Sequence, residues 1–254
     1  MELDGGRTVV RELRSQAPVA LVPRRGTAAR TGPLVVHLVG SAATPLGGDD
    51  VGLDVLVGPG AELVLTGVAA AVALAGRSRF AVRCTVADGG SLVHLPEPVV
   101  VTGRADHAAE LHVVLGAGAR LRTREVLVAG RSGEPPGRYR GRIRVDGPAG
   151  ALLVQEQELG DPGLARSPAH LAGHRVLATE VRVGGPDPAA AVAGGWWSLV
   201  PLARGGCLAT ALAGDAVTAG RRLDAALAAV PTPVPPARQE LVPAAAAKAS
   251  TPVS

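Results

Sequence analysis

Gly60, Gly89 and Gly118 stand 29 residues apart, each inside the same phrase: VGPGAEL (Val57–Leu63), VADGGSL (Val86–Leu92) and LGAGARL (Leu115–Leu121). Looser copies are VDGPAGALL (Val145–Leu153), with Gly150 in the same role, and LARGGCL (Leu202–Leu208), with Gly205. The flanks alternate apolar and polar: LDVLV and ELVLT around the first, FAVRCTV and SLVHL around the second, AELHVVL and RLRTREVLV around the third. Period-2 alternation on both sides of a glycine turn reads as strand, turn, strand, and predicts hairpins. One such unit cannot bury its apolar face alone, so successive units must stack into a continuous core. The expected fold is all-β: stacked β-hairpins or β-helix-like layered sheets. Connections this short leave no room for the crossover helices of an α/β fold.

The remaining segments fit around that stack. TVVRELRSQAPVALVPR (Thr8–Arg24) reads as two short strands, and HRVLATEVRVGG (His174–Gly185) as another. GDAVTAGRRLDAALAAV (Gly214–Val230) is the clear helix, with Val217, Leu223, Ala226, Leu227 and Val230 near a 3.6 period and Pro231 to stop it. One or two short C-terminal helices are therefore expected. The chain divides into a single β-rich domain, residues 1–230, and a Pro/Ala-rich tail, residues 231–254, expected to be disordered. Aromatic residues make up only 2% against 47% hydrophobic, so the core must be Val, Leu and Ala.

Several chemistries fall away. GPGAEL and GAGARL lack the third glycine of GxGxxG and the GK[ST] ending of a P-loop, and neither opens a helix, so they are turns and not phosphate cradles. No GxSxG elbow occurs. Cys84 and Cys207 stand alone and read as small core residues. The six His (37, 94, 107, 112, 170, 174) are scattered; 170 and 174 are spaced i, i+4, but Gly173 and the strand pattern after it argue against a helix. The net charge of +4 comes from scattered Arg with a single Lys, without the stacking aromatics of a nucleic-acid module. The longest apolar run, Val68–Ala75, is far short of the roughly 20 residues that span a bilayer. Without a signal-peptide pattern at its start, the chain is expected to be soluble and cytoplasmic. The carboxylates that stand out are Asp49 in LGGDD, Asp54 in GLDV, and Glu156 and Glu158 in VQEQEL; the last two share one strand face. No pair is spaced for general acid/base work, and a solvated face is the simpler reading of VQEQEL.

In sum these segments resemble the urease accessory protein UreD (UreH) family. LRSQAPVALVPR is similar to its N-terminal strand pair. LVVHLVGSAATPLGGDDVGLDVLVGPGAELVLTG carries its most characteristic block, a GGD loop, an L-D-V strand and VGPGA. SLVHLPEPVVV resembles its leucine-proline-x-proline segment, GARLRTREVLVAGRSGEPP the next strand and GR…GE loop, and HLAGHRVLATEVRVGG a later strand. The likeness runs from Thr8 to Leu227. One departure stands out: after VGPGA the family has a Thr-rich polar stretch with a Lys and an aromatic, whereas this chain has GVAAAVALAGR.

The resemblance implies a non-enzymatic scaffold that binds UreF, the GTPase UreG and apo-urease, and offers Ni²⁺ an internal route to the urease site. No tightly bound cofactor follows from it; Ni²⁺ is transient. Carried over by motif, Asp49 is the best-matched candidate for the nickel path, then Asp54; Glu156 and Glu158 join them by clustering alone. Two other classes remain: a β-solenoid enzyme acting on carbohydrate or acyl substrates, and a general nucleic-acid binder. Aromatic poverty argues against both.

Overall fold

The computed structural model describes residues 1–25, 33–165 and 167–229; the expected tail lies outside them. A ribbon of β1 (Glu2–Asp4) and β2 (Arg7–Val9) precedes β3 (Val19–Pro23) and β4 (Leu34–Gly40). The repeating part follows: β5 (Asp50–Val57), β6 (Glu62–Gly67) and β7 (Ala71–Ala73); then β8 (Gly76–Val86), β9 (Ser91–Leu95) and β10 (Val99–Val101); then β11 (Ala105–Leu115) and β12 (Arg120–Ala129). The chain closes with β13 (Arg138–Gly147), β14 (Gly150–Leu159), the short helix α1 (Pro162–Ala165), β15 (Val176–Val183), β16 (Val192–Gly194), β17 (Trp197–Pro201), β18 (Cys207–Ala213) and α2 (Ala216–Leu227).

The mainly β, β-helix-like stack expected from the repeats is what forms. One sheet runs β14-β13-β11-β8-β5; a larger one runs β16-β17-β18-β15-β12-β9-β6-β4-β3, with β7 and β10 attached beside β12. The strand partners differ from the hairpin reading at the three regular turns. Across Gly60, Gly89 and Gly118 the flanking strands do not pair with each other; β5, β8 and β11 pair in parallel in one sheet, and β6, β9 and β12 in the other. Each turn is thus a corner between sheets. Alternation around a glycine is the same for a corner as for a hairpin, so the pattern does not distinguish them. The 29-residue repeat does: parallel stacking sets identical rungs in register. Leu34, Leu63, Leu92 and Leu121 lie opposite one another on β4, β6, β9 and β12, and face the ladder Val57–Val86–Leu115 of the other sheet. Where the repeat loosens, true hairpins appear: β13–β14 around Gly150 and β17–β18 around Gly205 are antiparallel.

The corners stack by backbone bonds, Gly60 N donating to the Asp88 carbonyl at 3.0 Å and Gly89 N to that of Ala117 at 2.9 Å. Gly89 has φ +65°, and a Cβ there would meet nothing closer than Gly60 N at 4.0 Å. The only obstacle to a side chain is the left-handed backbone itself. Gly89→Ala is therefore expected to cost about 1–2 kcal/mol in urea unfolding, and Gly89→Asn less, because Asn tolerates that region.

Cys84 sits in the inward ladder Val55–Cys84–Val113–Val145, 2% exposed, and Cys207 is 1% exposed under α2. Burial pushes the Cys84 thiol up to about 12 and also raises that of Cys207. Both are the small core residues that the sequence indicated. A disulfide-exchange reagent is expected to leave both untouched in the native protein and to label both in denaturant.

Helix α2 begins at the N-cap Asp215, whose carboxylate accepts from Thr218 N at 2.8 Å. It buries Ala219, Leu223, Ala226 and Leu227 against the outward face of β15, β17 and β18. Val217, expected in that stripe, is 64% exposed, and Val230 lies outside the described residues. Beside the helix, Glu180 of β15 is fully buried and accepts from Arg122 Nε (2.8 Å), Arg124 Nε (2.7 Å) and Arg182 Nε (2.7 Å). Arg124 also reaches Asp224 of α2 at 2.9 Å. Burial works to raise the Glu180 carboxyl, but the hydrogen bonds from Arg122 and Arg182 and the nearby positive charges outweigh it and hold the group below the usual carboxylate range.

Candidate functional site

Between the two sheets lies a cavity of about 500 Å³. Most of its wall is apolar, Leu38, Val82, Leu111 and Ile143 among others; Glu97, Glu110, Arg124 and Arg142 also line it, and the inward-facing polar groups are few. They come from strand parity. In β9 and β12 the inward positions that begin as Leu92 and Leu121 continue as His94, Thr123 and Glu125, all lining the cavity. In the facing sheet Ser78, His107 and Tyr139 lie opposite one another on β8, β11 and β13, and His107 lines the cavity as well.

These groups are paired along the rungs. His94 Nδ1 is 3.1 Å from Thr123 Oγ1, and His107 Nδ1 is 2.9 Å from Ser78 Oγ, each pair 29 residues apart. The Tyr139 hydroxyl donates to Glu125 Oε1 at 2.5 Å. Its ring fits because position 141, next on the same face, is glycine; a Cβ there would stand 2.7 Å from the ring. Glu125 Oε2 is enclosed and has no hydrogen-bond partner among the described residues, and neither polar atom of the Gln157 side chain has one. From Glu125 the register carries on through Thr179 and Thr210 to Ser198, on β15, β18 and β17. The inner face of the larger sheet therefore holds a polar row that starts at the cavity.

Burial lowers His94 to about 4 and lowers His107 too, against the opposing effect of its Ser78 hydrogen bond. Both imidazoles are neutral at pH 7, the form that ligates metals. Burial raises the Glu125 carboxyl, opposed by the Tyr139 hydrogen bond, and Tyr139 itself is raised well above its ordinary value. Imidazole and carboxyl are donor types that borderline divalent cations accept, but these three do not form a preassembled ligand set. Among the described residues no group of three or more His, Cys, Asp or Glu is close enough to hold a metal ion.

The stretch GVAAAVALAGR, where polarity departs from the family pattern, borders this cavity. Val68, Ala69, Ala70 and Val72 line it, with Val68 55% and Val72 38% exposed. That part of the wall carries no polar side chain.

The four carboxylates singled out from sequence do not converge, and none lines the cavity. Asp49 Oδ2 accepts from Thr44 Oγ1 (2.9 Å) and Leu46 N (2.8 Å), pinning the loop before β5. Asp54 and Glu156 lie exposed on the outward face of the smaller sheet, 3.7 Å from Arg83 and Arg142 respectively. Glu158 is exposed on β14, opposite Arg140. His170 and His174 lie in and just after a turn, not on a helix; His170 Nε2 meets the Glu158 carbonyl at 2.8 Å. Sequence reasoning passed over His94, His107, Thr123, Glu125 and Tyr139. The signal for them was present: each is a polar or aromatic residue on the inward parity of an otherwise apolar strand.

Among the described residues no helix is long and apolar enough to cross a membrane. The family model described as UreD urease accessory protein matches residues 1–247. The urease accessory protein UreD 1 of Saccharopolyspora erythraea is 55% identical over 227 residues, 87% of this chain and 89% of the relative. The urease accessory protein UreD of a Parafrankia species is 45% identical, covering 88% of this chain and 84% of its own length. That of Streptomyces coelicolor is 39% identical, covering 89% and 91%. A match along nearly the whole chain, with relatives of like length, means that this chain belongs to the UreD urease accessory protein family.

Proposed function

We propose that this chain is a non-catalytic scaffold of urease maturation, acting in the cytoplasm, which joins UreF, UreG and apo-urease and passes Ni²⁺ through its inter-sheet cavity toward the urease site. Family membership supports the maturation role. The observation that carries the nickel reading is Glu125: a carboxylate with one oxygen fixed by Tyr139 and the other unpartnered, in a cavity shared with two neutral imidazoles. A buried polar atom without a partner costs free energy, so its retention points to a transient ligand. Ni²⁺ here is cargo. The neutral imidazoles of His94 and His107 attract it without trapping it.

The test is reconstitution in a urease-negative host with the urease subunits, UreF, UreG and this chain. The expected result is active, nickel-loaded urease, and nickel-poor, nearly inactive urease when this chain alone is omitted. Equal nickel content and activity with and without it would overturn the reading.

A further inference from the structure

Helix α2 covers the outward face of β15, β17 and β18 and touches β12. Beyond it, the same face carries Val35, Val64 and Val93, which lie opposite one another on β4, β6 and β9, and Val93 lies opposite Arg122. The three valines are half-buried and belong to none of the three hydrophobic cores. Arg122 in turn lies opposite Arg182. An apolar strip therefore runs straight into the guanidinium cluster around Glu180.

That cluster is built to hold its arginines still. Glu180 is fully buried, and its oxygens take Arg122 and Arg182 on one side and Arg122 and Arg124 on the other. Arg182 is held through Nε alone, so both its terminal nitrogens lack a partner among the described residues; so does Nη1 of Arg122. Both side chains are 37% exposed. A guanidinium fixed from behind, with its outer edge unused, has already lost the rotamer freedom that binding would otherwise remove. Its fork geometry matches a carboxylate.

We infer that this face docks a protein segment bearing a carboxylate flanked by apolar side chains, the carboxylate seating on Arg182 and Arg122 and its neighbours on Val93 and Val64. Charge selects the occupant. Arg120, Arg122, Arg124 and Arg182 face Glu62, Glu180 and Asp224, an excess of one positive charge. One carboxylate balances that excess, whereas a nucleic-acid backbone calls for a longer basic stripe. The inference rests on the reading that the chain assembles with urease-maturation proteins.

The experiment titrates the full chain against UreF, UreG and apo-urease, each separately, by biolayer interferometry at low and moderate salt. The variants are Arg182→Gln, which leaves Glu180 two arginines, and Val93→Glu, which sets a competing carboxylate beside Arg122 without touching Glu180. The expected result is binding to one of the three that both variants weaken by about tenfold or more, with thermal unfolding of Val93→Glu close to the parent. Parent-like affinity in both variants overturns the inference and leaves the maturation reading standing. A parent chain that binds none of the three overturns both. Salt-sensitive binding of duplex DNA that Arg182→Gln abolishes overturns the inference in favour of a nucleic-acid surface.

Discussion

Glu180→Ala is expected to lower the unfolding free energy by about 3 kcal/mol, a large part of the stability of a domain this size. The variant leaves Arg122, Arg124 and Arg182 crowded together with no carboxylate beneath them, and among the described residues only Arg124 keeps a partner, Asp224. The guanidiniums are 21% to 37% exposed, so water recovers part of the loss and the lower end of the range for a broken buried pair applies. The pH dependence has a definite sign. The folded Glu180 carboxyl is held below its unfolded value, so its contribution is present above about pH 4.5 and fades as pH falls through the folded value. His94 adds to the same acid limb. Its folded pKa of about 4 lies below the ordinary 6.5, so the unfolded chain takes up the proton first and stability declines as pH drops from 6.5 toward 4. Glu125, raised by burial, acts oppositely: its contribution is present at low pH and fades as pH rises through its folded value. Urea unfolding at pH 7, 5 and 3.5 should find the gap between parent and Glu180→Ala narrowing only at the lowest pH. A gap unchanged at pH 3.5 would sink this account of Glu180.

The stack was legible because one repeat controls several levels at once. The 29-residue spacing of Gly60, Gly89 and Gly118 is also the spacing of the leucine ladder and of the Ser78–His107 and His94–Thr123 pairs. The strand partners were less legible. A corner and a hairpin demand the same alternation and the same left-handed glycine, and only register between distant rungs separates them. The candidate site was hidden for a related reason. Asp49, Asp54, Glu156 and Glu158 attract attention as clustered or motif-bound charges, yet Asp54, Glu156 and Glu158 on the outward parity of a strand find water and arginines, and Asp49 fastens its own loop. Glu125 draws little notice within RLRTREVLVA because it follows Arg122 and Arg124 in a run of alternating charges. Parity places those arginines on one face with Glu180, and Thr123 and Glu125 on the other with the cavity.

Glu125→Gln should separate folding from nickel transfer. Gln keeps an oxygen to accept the Tyr139 hydrogen bond and nearly the same volume, so thermal stability should hold or rise slightly: burying an amide is less unfavourable than burying a carboxylate. What disappears is the carboxyl oxygen that has no hydrogen-bond partner among the described residues, in a cavity that also holds two imidazoles. In the reconstituted system, urease nickel content and activity are expected to fall by about tenfold or more, while capture of the partner proteins is unchanged. Tyr139→Phe is the complementary variant. It frees Glu125 Oε1, costs about 1–3 kcal/mol in stability, and leaves the carboxylate in place, so nickel transfer should survive if the protein is assayed below its unfolding temperature. Asp49→Asn, Asp54→Asn, Glu156→Gln and Glu158→Gln, run side by side, locate the path. A loss confined to Glu125→Gln puts nickel between the sheets. A loss in the other four variants with none in Glu125→Gln would move the route out of the cavity and leave the unpartnered oxygen of Glu125 to be explained in some other way.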